Sequence, residues 1–235
     1  MLNFSFVSII LVFLASNAFA NDEFVLVKGR VSDFANQPIV KATIEFQDKL
    51  HTALAVAESD AEGNFSITLK KRSYTIFAVK DYKVKYLEYW HWNYQPNHMK
   101  SLDIKIDGIE MYGMKAWSTA TGYPGLMVFV RPMSLGRWKE LGSPGSDQIP
   151  SEGTLAITPE LDLSGVTALL DDRPLKLRGV NLVREYITDK FYLHAYLIHV
   201  DPGANVSRTD IIRGSLCLIV NDPKQNEFGK GCVDL

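Results

Sequence analysis

Phe24-Val-Leu-Val-Lys-Gly-Arg-Val31 and, further along, Asp60-Ala-Glu-Gly-Asn-Phe-Ser-Ile-Thr-Leu69 are the stretches on which the fold turns. In the first, Val25, Val27, Gly29 and Val31 alternate with Leu26, Lys28 and Arg30, the period of two that sends alternate side chains to opposite faces of a strand. In the second, Glu62-Gly63-Asn64 turns the chain into a strand over 65–69. Working outward, Asn36-Gln37-Pro38 marks a turn, 41–46 a second strand, 53–57 a third and 74–79 another. Short alternating strands, frequent turns and no convincing helix predict an all-β protein that opens with an antiparallel β-sandwich.

Four of these segments carry a resemblance. Gly29-Arg-Val-Ser, Gln37-Pro-Ile-Val-Lys-Ala-Thr-Ile, Ser59-Asp-Ala-Glu-Gly-Asn-Phe65 and Tyr74-Thr-Ile-Phe-Ala-Val79 follow the pattern of the carboxypeptidase regulatory-like domain family. The resemblance implies a prealbumin-like sandwich, with Asp60, Gly63 and Phe65 forming a tight turn ahead of a core aromatic. It covers roughly residues 24–107. Modules of this kind accompany other domains as structural or binding units, so the resemblance implies a scaffold or binding role and not a chemistry. Some related surface sandwiches carry an isopeptide cross-link, which requires a buried lysine. Lys28 and Lys41 lie in strand segments, but no partner spacing singles either out.

Residues 82–94, Tyr-Lys-Val-Lys-Tyr-Leu-Glu-Tyr-Trp-His-Trp-Asn-Tyr, hold six aromatics in thirteen positions, against 11% for the whole chain. Read as one strand, its first face carries Tyr82, Val84, Tyr86, Glu88, Trp90, Trp92 and Tyr94, and its second Lys83, Lys85, Leu87, Tyr89, His91 and Asn93. Three readings are open: packing between two domains, a ligand platform, or an oligomer surface. As a platform, Tyr89, Trp90, His91, Trp92 and Tyr94 are the contact residues, with rings covering the apolar faces of a sugar and polar groups taking its hydroxyls. Solvent exposure of Trp90 or Trp92 separates these readings. Glu88, on the aromatic face, needs a partner if it is buried.

The second half, 108–235, is again mainly β by pattern. Strands are predicted over 109–117, 126–130, 191–200 and 214–220, with a hairpin formed by 166–170 and 175–177 around Asp171-Asp-Arg-Pro174. A short helix over 134–141 would take Ser134 as its cap. The loop 142–153 is low in apolar residues. Arg131-Pro-Met-Ser-Leu-Gly-Arg-Trp138, taken with Glu88-Tyr-Trp-His-Trp-Asn93, looks like uncharacterised exported bacterial proteins that carry such a regulatory-like domain, a resemblance that implies no established activity.

Residues 1–20 read as a cleavable signal peptide, with an apolar run from Phe6 to Leu14 and small residues at Ala18-Phe19-Ala20; the alternative is an uncleaved membrane anchor, since the apolar stretch is nearly long enough to span. The expected compartment is therefore the periplasm or the exterior, with membrane contact only during export. In such a compartment Cys217 and Cys232 read as one disulfide. Twenty-five basic and 27 acidic residues give a net charge of −2, spread along the chain, so no nucleic-acid partner is expected.

Chemistry-bearing motifs are sparse. There is no His-Glu-x-x-His, Cys-x-x-Cys, Gly-x-Ser-x-Gly or phosphate-loop pattern. His194 and His199, five apart on one strand, point to opposite faces. Asp147, Asp171, Asp172 and Asp201 could supply loop oxygens to calcium, but Asp171 and Asp172 suit a turn first. No catalytic residue, metal ligand or cofactor is assigned. The sequence thus predicts a two-module, all-β, non-catalytic exported binding or scaffold protein of the bacterial envelope, with a polysaccharide or an envelope protein as partner. The alternative is a small exported hydrolase or metal-dependent enzyme with its site in the second module, using His91 or His199 as base.

Overall fold

In the computed structural model the described residues are 23–96, 101–118, 125–203 and 213–235. The signal-peptide reading of 1–20 and His98 lie outside them. The first half contains β1 (Phe24–Ser32), β2 (Thr43–Gln47), β3 (Ala53–Glu58), β4 (Asn64–Lys70), β5 (Tyr74–Val79), β6 (Tyr89–Tyr94) and β7 (Leu102–Lys105). The second contains β8 (Ile109–Ser118), β9 (Leu126–Ser134), α1 (Leu135–Glu140), β10 (Gly153–Thr154), β11 (Val166–Leu170), β12 (Arg173–Tyr186), β13 (Phe191–Asp201), β14 (Ser215–Asp222) and β15 (Glu227–Asp234). The chain is nearly all-β and sandwich-like, as its alternation predicts.

A three-stranded sheet, β4-β1-β7, covers one side of the first half. Val25, Val27 and Val31 of β1 turn inward with Phe65 and Leu69 of β4 and meet Ile44, Phe46, Ile76 and Ala78 from β2 and β5. The turn into β4 works as its residue types require. Asp60 Oδ1 accepts from the backbone N–H groups of Glu62 at 3.0 Å and Asn64 at 2.7 Å, while Gly63 takes φ +81°, a conformation that penalises a Cβ. Phe65 then lies over Gly29, whose bare Cα leaves room for the ring.

The second sheet runs β3-β2-β5-β6-β15-β14-β11-β12-β13-β9-β8, with β10 beside β13. It crosses from one half of the chain to the other at β6 and β15, which pair in parallel: Gly231 opposes Trp90, Cys232 opposes His91 and Val233 opposes Trp92. Beyond that crossing the strands curl back so that β8 packs on β15, with Ile109 against Gly229 and Met111 against Gly231. Their inward faces build a second apolar cluster from Met111, Val128, Val130, Ala168, Ile198, Val200 and Leu218.

Three local features match the expected pattern closely. Ser134 caps α1 by accepting from Arg137 N–H at 3.1 Å. β11 and β12 form the expected hairpin, with Asp171 and Asp172 both at positive φ (51° and 64°), as a two-residue primed turn demands. Cys217 and Cys232 oppose each other directly in β14 and β15 and are joined by a disulfide.

Other features differ. The longest strand is β12, where only 175–177 were expected, and β7 and β15 carry no strong pattern of their own. The aromatic segment is not one strand. Residues 81–86 turn on the carbonyl of Asp81, which accepts from Val84 N–H and Lys85 N–H, and β6 begins only at Tyr89. Within β6 the register slips against β5: Tyr94 opposes Tyr74, yet His91 opposes Ile76. The extra residue is a bulge with Asn93 at φ +56°. It turns Tyr94 away from the tryptophan face, where strict alternation had placed it.

Candidate functional site

The five aromatic-segment residues do not share one surface. Trp90 and Trp92 lie on one face of β6, stacked with ring centroids 5.1 Å apart at 11°. Tyr112 of β8 stands edge-on to both, and so does His51 from the turn after β2. Phe77 closes on Trp90 at 5.1 Å. Trp90 is buried and Trp92 half-buried, so the indoles pack the seam where β6 meets β8. The seam has a polar element. Trp90 Nε1 donates to Glu110 Oε1 at 3.0 Å, and the half-buried Glu88 lies just ahead of β6. Glu110 is buried, and burial together with the neighbouring Glu88 pushes its carboxyl up to about 8. Burial raises Glu88 in the same direction.

Tyr89, His91 and Tyr94 face the other way, into a cleft of about 640 Å³. One wall is the small sheet, through Val25, Leu102 and Asp103. The other comes from β14 and β15 through Ser215, Cys217, Lys230, Cys232 and Asp234, with the Asp171–Asp172 turn and Arg213 at its mouth. Burial of the Tyr89 ring drives its hydroxyl well above the usual tyrosine range. Lys230, itself buried, donates to the Asp103 carbonyl at 2.8 Å and to Asp103 Oδ2 at 2.9 Å, which ties β15 to β7 across the cleft.

In the cleft's lining His91 Nε2 lies 2.7 Å from Asp234 Oδ1 and 3.3 Å from Ser215 Oγ, while Asp234 Oδ2 accepts from Gln95 N–H at 2.7 Å. Ser, His and Asp are thus brought together by strands distant in sequence, but not as a relay. A nucleophile relay needs the hydroxyl on one imidazole nitrogen and the carboxylate on the other. Here both meet Nε2, and Nδ1 is buried without a hydrogen-bond partner among the described residues. Asp234 holds the ring in place, and Ser215 is not set up for activation.

The remaining candidates are scattered. His194 stacks edge-on to Tyr192, whereas His199 lies beside Gly125. Asp201 is buried and paired with Arg178 at 2.6 Å, Asp147 sits in an exposed turn, and Asp171 accepts from Ser215 N–H at 3.1 Å. Among the described residues no three His, Cys, Asp or Glu side chains are grouped to hold a metal ion. Lys28 and Lys41 are both exposed, so neither has the burial an isopeptide bond requires. Among the described residues no helix is long and apolar enough to cross a membrane.

No family model matches the chain, and no curated protein matches it. Among solved structures it is similar to a DUF3823 family protein from Bacteroides ovatus ATCC 8483, at 9% identity and TM-score 0.32 over 90% of this chain and 99% of that one. A DUF3823 family protein from Parabacteroides merdae ATCC 43184 gives 13% identity and TM-score 0.30 over 90% and 98%. The major pilin subunit of Bacillus cereus gives 9% identity and TM-score 0.28 over 90% and 69%. Likeness at that level carries no inference about activity or partner.

Proposed function

We propose that the protein is an exported, non-catalytic binding protein of the bacterial envelope, and that its ligand occupies the cleft on the Tyr89–His91–Tyr94 side of β6. One observation carries the reading: a cleft of about 640 Å³ lined by tyrosine rings, a histidine and several aspartates. That size falls within the range of small-ligand sites, which pair apolar walls with a few placed polar groups. Rings beside carboxylates and hydroxyls suit a hydroxylated ligand, so the partner proposed is a polysaccharide segment. The apolar leader of residues 1–20 and the regulatory-like pattern over 24–107 support export and a binding role. The Ser215–His91–Asp234 arrangement favours binding over hydrolysis, because its geometry serves orientation and not proton relay.

The test is a calorimetric titration of residues 21–235 with oligosaccharides released from envelope and host polysaccharides. Tyr94→Ala and Asp172→Asn address the cleft, and Trp92→Ala serves as the control on the opposite face. The expected result is saturable binding, weakened at least tenfold by Tyr94→Ala and retained in Trp92→Ala. Binding lost only with Trp92→Ala would move the site to the tryptophan face. The absence of saturable binding would overturn the saccharide assignment.

A further inference from the structure

Strand β4 ends the small sheet, with β1 on one side of it and, among the described residues, no strand on the other. Its seven residues pair with β1 without a bulge. Lys71 N–H donates to the Glu23 carbonyl and Val31 N–H to the Gly63 carbonyl, each at 2.8 Å. Antiparallel residues alternate in the side to which they direct N–H and C=O, so odd-numbered residues of β4 serve β1 and even-numbered ones face the open edge. Both ends of that edge are occupied. Asn64 exchanges its N–H and C=O with Asp60, and the Lys70 carbonyl accepts from the Tyr74 hydroxyl at 3.0 Å. Ser66 and Thr68, both exposed, lie between these ends, and their N–H and C=O groups have no hydrogen-bond partner among the described residues. Such an edge is a template for another strand, and natural sheets guard it with a bulge, a proline or a central charge. Between Asn64 and Lys70 β4 has none of these.

The charges flanking β4 identify the occupant. The turn before it carries Asp60 and Glu62, and Lys70, Lys71 and Arg72 end and follow it, all five exposed. An antiparallel second copy sets the acidic end of each strand beside the basic end of the other. Lys70 meets Glu23 in an exposed pair at 3.3 Å and Arg72 lies over the Tyr74 ring, contacts that leave both charges open to solvent. We infer that the protein forms a symmetric dimer in which β4 pairs with β4 of a second copy about Ile67, joining the two small sheets into one. In this register Ser66 and Thr68 of each copy exchange N–H and C=O with Thr68 and Ser66 of the other, and Glu62 comes opposite Arg72. Shifting the pair by two residues sets Ser66 or Thr68 against itself and turns the other toward the occupied Asn64 or Lys70. On the core side Ile67, half-buried at the edge, gains the copy's Ile67 as a neighbour. β3, which ends the large sheet beside β4, exposes Leu54 and Val56, apolar surface on the flank that a second copy covers. No residue of β4 lines the cleft, so the pairing does not depend on what the cleft binds.

The test is sedimentation velocity of residues 21–235 over a range of concentrations. The expected result is a monomer–dimer equilibrium that Thr68→Pro abolishes, because the Thr68 N–H faces the edge and its loss breaks no bond to β1. A wild-type chain that stays monomeric at every concentration, or a dimer that survives Thr68→Pro, would overturn the pairing. Charge reversal checks the direction of the strands. Glu62→Lys and Arg72→Glu are each expected to weaken the dimer several-fold, and the double variant to restore it. A double variant no tighter than either single one would overturn the antiparallel register. Amide exchange on the wild type gives a readout without substitution: protection of Ser66 and Thr68 is expected to rise with concentration, and constant protection would equally overturn the dimer. Should Thr68→Pro not fold, the wild-type exchange decides alone.

Discussion

At Asn93 the backbone enters the left-handed region (φ +56°), and that single conformation rotates Tyr94 onto the side of β6 already occupied by Tyr89 and His91. Asparagine tolerates such a φ, whereas a β-branched residue is strained by about 1–2 kcal/mol. Asn93→Gly is therefore expected to leave stability nearly unchanged and Asn93→Val to lower it by about that amount, as measured by urea unfolding. A valine variant as stable as the parent would show that the bulge has little hold on the strand. Trp90 makes a second case. Its ring is buried between Trp92, Phe77 and Tyr112. Truncation to alanine is expected to cost about 3–5 kcal/mol in the same assay, the usual range for a buried large aromatic. The density of aromatics in 82–94 was plain in the sequence. The side each ring takes was not, because a one-residue bulge leaves no mark on the alternation it interrupts.

Among the elements, β15 joins the two halves, and its sequence Glu-Phe-Gly-Lys-Gly-Cys-Val-Asp argues weakly for a strand, since glycine is a poor strand former. The glycines are there for what crosses them. A Cβ at Gly231 would stand 2.5 Å from Met111 Cβ, and one at Gly229 would stand 2.6 Å from the Ile109 carbonyl. Gly231→Ala is expected to push β8 off β15 and lower stability by about 1–3 kcal/mol. A variant with an unchanged unfolding midpoint would show that β8 moves aside at no cost. The disulfide fastens the same strand to β14 across a sequence separation of 15. In the chain-entropy account, closing such a loop contributes about 3 kcal/mol. Reduction, or the Cys217→Ser/Cys232→Ser variant, should lower unfolding stability by about that much. An equal denaturant midpoint with and without reductant would contradict it.

On the scale of the whole molecule, the large sheet is continuous through the β6–β15 pairing. Residues 21–107, read from the sequence as a module, should consequently be less stable alone than within the full chain, because β6 would lose its partner and expose the Trp90 seam. Thermal unfolding of the fragment beside the full protein checks this, and equal midpoints would make the junction energetically idle. What the sequence determined by itself is local. Alternation in β1, the Asp60–Gly63 turn, the Ser134 cap and the primed turn at Asp171–Asp172 each follow from the side-chain period or φ preference of a few adjacent residues. The disulfide was legible too, since only two cysteines are present. The tertiary structure alone decided which strand would pair with β6. It set His91 beside Asp234, 143 residues away, and enclosed the cleft between sheets from both halves. Long-range pairing depends on how whole faces fit, and no short window of sequence records that fit.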